Sequence, residues 1–400
     1  MHDTIFFSAC DLINLYKSKK LSPVENLKNT FDVIKKLNPK LNAFISIAEK
    51  KAMKQAKFSE LHYLNNTERK LEGIPFGVKD VIDVQQEKTM NGSKLFETSE
   101  VKKNNATVVN KLIDEGAIYI GKLHTHELAI GAPTFSGIDK PASNPWDFNK
   151  TAGGSSSGSG SAVGGYLVPF ALGTDSGGSI RNPSSMSGIV GLKPTYNSIE
   201  MRGIQPLAKT IDTVGPMART GKDISLIFSV LKKSLNTVNQ NFKNLKIGII
   251  EHFYNKDFIA NEEVAVSFEK TIKVFEQNGS VVSKVNLDNL RTYHEVNGTI
   301  MAKEGYKQFN KQLELRKDQI DKLTFERINK GTYISEESYK NAKNKKKELT
   351  QKIHEVLENY DILITPTNFD LPFNLGDISQ INKYYMRHAR SPFNISGNPA

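Results

Sequence analysis

The chain has 400 residues, of which 38% are hydrophobic and 24% are charged, and its formal net charge is +11. These values are near globular averages, so a sizeable core can form, and no apolar run approaches the ~20 residues that a membrane-spanning helix needs. The charge alone does not indicate a nucleic-acid-binding protein, because residues 303–352 mix 14 Lys or Arg with 8 Asp or Glu, as a solvated helical face does.

The N-terminal part is predicted to be helical, without an export signal. Its first residues, MHDTIFFSACDLINLYKSKK, lack a basic start followed by an apolar segment and a small-residue cleavage site. Ser22, Pro23 and Glu25 fit an N-cap, a first helical proline and a capping-box glutamate, and a polar–apolar pattern continues to about Glu60. Cys10 is the single cysteine, so no internal disulfide forms, and a cytoplasmic location is expected.

The next elements alternate between strand and helix. LEGIPFGVKDVIDV (71–84) has short apolar runs rich in Val and Ile, which predict a strand. Residues 106–115 place their apolar side chains on one helical face, and AIYIGKL (117–123) then predicts a buried strand. This alternation favours an α/β fold with a mixed or parallel sheet, and the length allows one large domain or two to three smaller ones.

The segment 153–188 is so rich in glycine and serine that it raises the question of a flexible linker. It also contains the apolar run AVGGYLVPFALG (162–173), which would be costly to leave in water. GTDSGGSIR (173–181) is typical of a strand end that turns into a helix start, where backbone N–H groups can converge on an anion. The composition therefore favours a catalytic loop with a serine nucleophile over a linker.

The second half predicts a further α/β part. NLKIGII (244–250), a helix over about 261–277 and GSVVSKVNL (279–287) form a predicted βαβ unit. GIVGLKPT (188–195) is a short apolar run bounded by turn signals. Residues 300–358 are a long, lysine-rich helical stretch, and YDILITPT (360–367) is a strong buried strand.

Three kinds of side chain could activate or replace a serine nucleophile. His124 and His126 form an H-x-H pair, which fits half of a metal site, a base, or ordinary loop histidines, and no further ligand pattern supports a metal. Lys79 lies in an apolar strand, where burial would lower its pKa and make it a base, or where it could pair with Asp80 or Asp83. Cys10 has no partner that would activate it.

Several ordered segments resemble the amidase signature family: GVKD (77–80), NPW (144–146), GGSSSGS (153–159), LGTDSGGSIRNPSSMSGIVGLKPT (172–195), TIDTVGPMART (210–220) and DILITPT (361–367). The match includes regularly spaced polar residues as well as glycines, and it extends over most of the chain. It is therefore far more specific than an isolated Gly-Gly-Ser.

The resemblance implies one α/β domain with a large, mixed, twisted β-sheet covered by helices. Its parts would be N-terminal helices (1–70), a signature core (71–220) and a second α/β part (221–400). It also implies a Ser–cis-Ser–Lys triad that uses no metal or organic cofactor. Carried over to this sequence, Ser179 is the nucleophile, Ser155 the bridging serine after a cis peptide bond, and Lys79 the base.

Further site residues follow from the same resemblance. Backbone N–H groups of the loop before and at the nucleophile would hold the oxyanion, namely those of Ser176, Gly177, Gly178 and Ser179. Ala129 would lie in the segment that lines the acyl site. Asp175 and Arg181 would be scaffold, with Arg181 binding loop carbonyls or a carboxylate.

Two functions share this pattern. One is a free-standing amidase acting on a small-molecule amide, alone or as a homodimer; the other is the A subunit of a glutamyl-tRNA(Gln)/aspartyl-tRNA(Asn) amidotransferase, which serves a partner protein as a glutaminase. QPLAKTIDTVGP (205–216) resembles the free-standing amidases, and GTDSGGSIR departs from the GSDTGGSIRQPA that is usual in the tRNA enzyme. The sequence therefore favours a free-standing amidase without a nucleic-acid or membrane partner.

A third alternative concerns the C-terminal segment, SPFNISGNPA. In relatives this segment continues into another apolar strand and further sheet and helix. A missing strand would leave an open sheet edge and an uncovered apolar face. The resemblance therefore also allows an incomplete, inactive amidase or half of a split protein, although Lys79, Ser155 and Ser179 all precede this point.

Overall fold

The computed structural model describes residues 3–135, 140–232 and 243–400. Within these ranges the α-helices are α1 (Ala9–Lys17), α2 (Pro23–Leu41), α3 (Glu49–Leu64), α4 (Thr107–Asp114), α5 (Ser157–Gly164), α6 (Arg181–Ser187), α7 (Gly221–Lys232), α8 (Glu262–Gln277), α9 (Leu290–Leu315), α10 (Lys322–Asn329), α11 (Glu336–Leu357), α12 (Ile378–Tyr384) and α13 (Ser391–Ile395). The strands are β1 (Pro75–Lys79), β2 (Ile118–Leu123), β3 (Phe170–Asp175), β4 (Val190–Gly191), β5 (Thr213–Ala218), β6 (Lys246–Ile249), β7 (Val281–Lys284) and β8 (Ile362–Ile364).

A five-stranded mixed sheet forms the centre of the molecule, in the order β2-β1-β3-β5-β4. β1 pairs in parallel with both β2 and β3, whereas β5 runs antiparallel to β3 and β4. Every residue of β1, β2 and β3 is buried, as expected for strands covered by helices on both faces. The predicted α/β fold with a mixed sheet is confirmed.

Helices cover both faces of this sheet. One face packs against α1, α4 and α7 through a core that includes Leu12, Val109 and Ile227. The other face packs against α2, α3 and α5 through a core that includes Phe31, Ala56 and Val163. The arrangement is a three-layer sandwich, which explains why the central strands carry nearly continuous apolar runs.

A second, parallel sheet of three strands has the order β7-β6-β8. β6, α8 and β7 form the predicted βαβ unit, and α11 leads into β8 on the other side of β6. The core below this sheet includes Ile249, Tyr293 and Ile353, from β6, α9 and α11. None of the helices in the described part of the chain combines the length and apolar composition needed to cross a bilayer.

The N-terminal helical pattern is interrupted between α2 and α3. Ser22 Oγ accepts a hydrogen bond from the Glu25 N–H at 3.1 Å, so α2 begins at the predicted cap. Asn42 then adopts a left-handed conformation with φ of 48° and ends this helix. The following segment lies along β2, where the Ala48 N–H donates to the Ile120 carbonyl at 2.9 Å, before α3 begins. The predicted N-terminal helices are therefore present, and the polar–apolar pattern to Glu60 is divided between α2 and α3.

The long helical stretch predicted over 300–358 is also divided, into α9, α10 and α11. Gly331 lies in the second interruption, and a Cβ atom there would stand 2.2 Å from the Ala302 carbonyl oxygen of α9. The chain therefore folds back closely onto α9 at this glycine. This contact with α9 accounts for the break between α10 and α11, and it is not visible in the local hydrophobic pattern.

The strand arrangement places the predicted site residues Lys79 and Asp175 at the same edge of the central sheet. Lys79 is the last residue of β1 and Asp175 is the last residue of β3. Because these neighbouring strands are parallel, their carboxyl ends meet at the same edge of the sheet, where α/β proteins usually bind ligands.

Candidate active site

Lys79 lies completely buried at the end of β1. Its Nζ donates to Ser155 Oγ and to Thr174 Oγ1, each at 2.8 Å. The alternative in which Lys79 pairs with Asp80 is wrong, because Asp80 binds the buried Lys122 at 3.1 Å. Successive residues of extended backbone point to opposite faces, which separates the Lys79 and Asp80 side chains.

The other acid considered as a partner, Asp83, is also engaged elsewhere. It forms an ion pair with Lys102 at 3.3 Å and accepts a hydrogen bond from Thr89 Oγ1 at 2.7 Å. Lys79 therefore has two hydroxyl partners and no ion pair within the described ranges.

Burial lowers the pKa of Lys79 from its ordinary value to about 7. The negative charges of Asp175 and Asp212 oppose this effect and keep the pKa from falling further. A substantial fraction of the side chain is consequently the neutral amine at physiological pH, the form that can accept a proton.

Ser155 stands between the lysine and the open part of the site. The peptide bond between Gly154 and Ser155 is cis, as the resemblance implied. Ser155 is only 4% exposed, and its carbonyl accepts the His126 N–H at 3.0 Å. Helix α5 starts two residues later, so the segment leads directly from the cis bond into a buried helix.

Ser179 follows β3 in the loop that precedes α6. Its carbonyl accepts the Ser156 N–H at 3.2 Å, and Asn182 Nδ2 of α6 donates to the Gly154 carbonyl at 3.1 Å, so the loop and the start of α6 are both joined to the Ser155 segment. Ser179 is partly exposed, and its Oγ makes no hydrogen bond to any described residue. Accessibility therefore increases from Lys79 through Ser155 to Ser179.

Ser155, Ser179 and Gly177 line one cavity of about 720 Å³. Ala129 also lines it, and its contact with the acyl group stays a prediction. The cavity lies at the carboxyl edge of the central sheet, between the segments that carry Ser155 and Ser179 and the segments that surround α9 and α13. Its volume fits a small organic molecule.

Asp175 organises the loop that carries Ser179. Its carboxylate accepts the N–H groups of Gly178 and Ile180 at 2.8 and 3.1 Å, and it binds Arg181 through Nη2 at 2.9 Å. Burial would raise the pKa of Asp175, but the charge and hydrogen bonds of Arg181 hold it well below its ordinary value. These contacts support the loop, and the scaffold role of this ion pair stays a prediction.

One of the expected oxyanion donors needs correction. The Gly178 N–H points to Asp175 Oδ1, so it is already engaged and does not face a substrate oxygen. The N–H groups of Ser176, Gly177 and Ser179 make no hydrogen bond to other described residues. Because Asp175 accepts this hydrogen bond within its own loop, Gly178 is not one of the backbone donors available to an oxyanion.

Ser176 is held from two sides. Its Oγ donates to Asp212 Oδ1, and its carbonyl accepts Asn297 Nδ2 at 3.2 Å. Asp212 also accepts the N–H groups of Leu207 and Ala208 at 2.8 and 2.9 Å. The Ser176 side chain is therefore part of the support of the loop, and only its backbone N–H remains for a ligand.

The two histidines do not form a metal centre in the described part of the chain, where no three His, Cys, Asp or Glu side chains converge. His124 Nδ1 lies 3.1 Å from Ser157 Oγ, and His126 lines the cavity. Burial lowers the pKa of His124 to about 4 and that of His126 to about 3, so both are neutral at pH 7. Burial raises the pKa of Cys10 to about 12, which keeps it a thiol.

The structure adds four residues that the sequence reasoning did not single out. Thr174 is the second partner of Lys79, Asp212 supports Ser176, and Asn394 donates to Asp175 at 2.8 Å. Arg390 lies on the cavity wall against Gly178. Thr174 and Asp212 belong to segments that carry the family resemblance, GTDSGGS and TIDTVGPMART, whereas Asn394 and Arg390 approach from more than 200 residues away.

The fold and the site together define an α/β protein with a buried lysine, two serines and a loop of free N–H groups. The profile of the Amidase family matches residues 25–400. The chain belongs to this family, that of the amidase signature enzymes, which are serine-based hydrolases acting on C–N bonds.

Individual relatives fall into both functional classes. The A subunit of the glutamyl-tRNA(Gln) amidotransferase of Staphylococcus carnosus is 31% identical over 97% of this chain and 88% of its own length. A solved amidase is similar at a TM-score of 0.88, with 25% identity over 98% of this chain and 91% of its own. The solved A subunit of the glutamyl-tRNA(Gln) amidotransferase from Thermotoga maritima is similar at 0.81, with 26% identity over 100% of this chain and 87% of its own.

Proposed function

We propose that this chain is an amidase that hydrolyses a small carboxamide through an acyl-enzyme on Ser179, with Ser155 and Lys79 as the proton relay. The observation that carries the proposal is the 2.8 Å contact from the buried Lys79 Nζ to Ser155 Oγ, beside a cavity that Ser155 and Ser179 both line. A lysine with a pKa of about 7 is a suitable base at physiological pH.

Acylation begins with two linked proton transfers. The neutral amine of Lys79 accepts the Ser155 hydroxyl proton as Ser155 Oγ accepts the proton of Ser179 Oγ. Ser179 Oγ forms a bond to the amide carbon, and the carbonyl π electrons move to oxygen. Thr174, the second hydroxyl beside Nζ, orients the amine toward Ser155.

The resulting oxyanion needs preorganised donors. Ser176, Gly177 and Ser179 have backbone N–H groups without partners among the described residues, and they belong to one loop that Asp175 holds in place. Donors of this kind are effective because they require no reorganisation during the reaction, and one is worth about 3–4 kcal/mol in comparable sites.

Collapse of the tetrahedral intermediate breaks the C–N bond. Ser155 returns a proton to the leaving nitrogen, Lys79 reprotonates Ser155, and ammonia or an amine departs. Water then gives a proton to Ser155 as Ser155 passes its own to Lys79, and the water oxygen forms a bond to the carbon of the Ser179 ester. Collapse of this second intermediate breaks the ester bond, and a proton returns from Lys79 through Ser155 to Ser179 Oγ, which releases the carboxylic acid. All protons in this scheme move between Lys79, Ser155, Ser179, substrate and water.

A second candidate function is the glutaminase component of a tRNA amidotransferase. The observation that favours it is the 31% identity to the Staphylococcus carnosus protein over 97% of this chain. The segment QPLAKTIDTVGP and the higher TM-score for the solved amidase, 0.88 against 0.81, favour the free-standing enzyme instead. A homodimer stays a prediction.

The two candidates differ in their need for a partner. Ammonia or amine release is measured for the purified chain alone with a panel of aliphatic and aromatic amides and with glutamine. A free-standing amidase hydrolyses one or more of the simple amides without a partner, whereas a glutaminase component hydrolyses glutamine and needs its partner for full rate. Turnover of glutamine alone among these substrates would favour the amidotransferase function.

Substitutions test the proposed roles of Ser179 and Ser155. Ser179→Ala and Ser155→Ala are each expected to lose at least about a thousandfold in kcat, because members of one relay act as a unit. Ser185→Ala is the matched control, since Ser185 is an exposed serine of α6. A Ser179→Ala protein with the turnover of the control would overturn the proposed mechanism.

A further inference from the structure

Arg390 lies directly beside the loop that carries Ser179, residues 176–180, here called the nucleophile loop. It precedes α13 and lines the cavity together with Ser155 and Ser179. A Cβ atom on Gly178 would stand 2.2 Å from Arg390 Cδ and 2.3 Å from Nε, so the arginine side chain packs on the loop at the residue before Ser179.

The position of Arg390 is fixed by the scaffold. Arg181 Nη1 donates to the Arg390 carbonyl at 2.8 Å, and the Arg390 N–H donates to His388 Nδ1 at 3.2 Å. Arg181 in turn is bound to Asp175, which caps the nucleophile loop. These hydrogen bonds therefore fix the Arg390 backbone relative to the nucleophile loop.

The charge of Arg390 has no acidic partner within the described ranges. Its Nη1 donates to the amide oxygen of Asn368, which is neutral. Asp175, the nearby carboxylate whose charge acts on Arg390, is already bound by Arg181 and Asn394. Burial lowers the pKa of Arg390 to about 9, and the charge of Arg181 adds to this effect, so the group is still a cation at pH 7.

Two donors at this position are buried without partners among the residues that the structure describes. They are Arg390 Nε and Asn368 Nδ2, and both residues line the cavity. Because Asn368 Oδ1 accepts the bond from Arg390, its amide nitrogen is the end that remains free. Buried donors without acceptors are costly, and an anion is the acceptor that also neutralises the guanidinium.

A carboxylate fits these donors better than an ammonium or a neutral group. The planar fork of arginine matches the two oxygens of a carboxylate. Among the described residues that line the cavity, neither acid is a buried, free carboxylate: Asp370 is bound by Arg387 at 2.6 Å, and Glu326 is exposed to solvent. The charge of the site therefore matches an anion and does not match a zwitterion.

We propose that Arg390, with Asn368, binds a carboxylate on the acyl portion of the substrate, so that the preferred substrates are monoamides of short dicarboxylic acids. This inference rests on the proposed amidase function and specifies its substrate class. Arg390 is a specificity-determining residue in this account, because it contacts the substrate away from the scissile bond.

The experiment compares three amides of equal chain length: glutaramate, which carries a carboxylate; pentanamide, which is neutral; and glutamine, which adds an ammonium. Binding is measured by titration calorimetry on the full chain with Ser179→Ala, so that it does not depend on turnover. Turnover is measured in parallel by ammonia release from the chain with Ser179 intact.

Glutaramate is expected to bind at least about tenfold more tightly than pentanamide and more tightly than glutamine. Adding Arg390→Gln should reduce the ratio of glutaramate to pentanamide affinity to about twofold or less, and Arg390→Lys should give an intermediate ratio. Arg202→Gln is the matched control, because Arg202 is exposed and forms its ion pair with Glu200, and it should keep the ratio. Thermal melting checks that each variant is folded.

Equal affinities for glutaramate and pentanamide, or an unchanged ratio in folded Arg390→Gln protein, would overturn the inference. Inorganic phosphate that binds as tightly as glutaramate and competes with it would reassign the site to phosphate and would also overturn it. Hydrolysis of pentanamide without any preference for glutaramate would leave the proposed function standing while this inference fails. Tight binding of glutaramate without any hydrolysis would support the carboxylate site and would contradict the proposed amidase function.

Discussion

The pH dependence of acylation follows from the burial of Lys79. Its pKa of about 7 lies well below the ordinary 10.5, and this difference corresponds to about 5 kcal/mol in favour of the neutral amine. At pH 7 about half of the molecules carry the neutral base, compared with about one in three thousand for an ordinary lysine. Because only the neutral amine accepts a proton, the acylation rate should rise with pH and level off above the pKa.

The assay is the second-order rate constant for labelling by a fluorophosphonate probe between pH 5 and pH 10. The rate is expected to rise about tenfold per pH unit below pH 6 and to be constant above about pH 8. Because Asp212 raises the pKa of Lys79, Asp212→Asn should move the inflection to lower pH without abolishing it.

Asp212 is itself a group whose pKa burial raises to about 7. The same variant therefore distinguishes the two groups, since an inflection that belongs to Asp212 disappears in Asp212→Asn. A rate that keeps rising to pH 10 in the wild-type chain, as for an ordinary lysine, would refute the reasoning. Disappearance of the inflection in the pH–rate profile of folded Asp212→Asn protein would also refute it.

Further predictions concern the support of the site and the fold. Asp175→Ala leaves the buried Arg181 unpaired and should lower the free energy of unfolding by about 3–5 kcal/mol, measured by urea denaturation; a loss below about 1 kcal/mol would contradict this. Thr174→Val removes one of the two partners of Lys79 Nζ and should slow labelling about tenfold at pH 8, whereas an unchanged rate would show that Thr174 does not orient the amine. Ser22→Ala removes the cap of α2 and should cost about 1 kcal/mol in the same urea assay, and no change would mean that the cap is not needed.

The sequence contained enough information to predict the central strands and the chemistry near them. β1 and β2 are mostly apolar runs that each contain one lysine, and such runs are the pattern of strands buried on both faces. The apolar run within 153–188 correctly indicated packed structure rather than a linker, since it supplies the end of α5 and most of β3. The assignment of Ser155 and Ser179 depended on the family resemblance, because the sequence offers many other serines in the same segment.

Other features depend on contacts between distant segments, which a local pattern does not contain. The break between α2 and α3 follows from backbone hydrogen bonds to β2, more than 70 residues away. The loss of Gly178 as an oxyanion donor follows from the direction of one N–H group toward Asp175. Arg390 reaches the nucleophile loop only because the chain after β8 folds over it.

The most direct test of the central claim is active-site labelling of the purified chain at pH 8, with the adduct mapped by peptide mass and Lys79→Ala measured alongside. The account predicts one adduct, on Ser179, whose rate of formation falls at least about a thousandfold in Lys79→Ala, while the exposed control Ser185→Ala labels normally. An adduct on another residue, or labelling of Ser179 at an unchanged rate in folded Lys79→Ala protein, would contradict it.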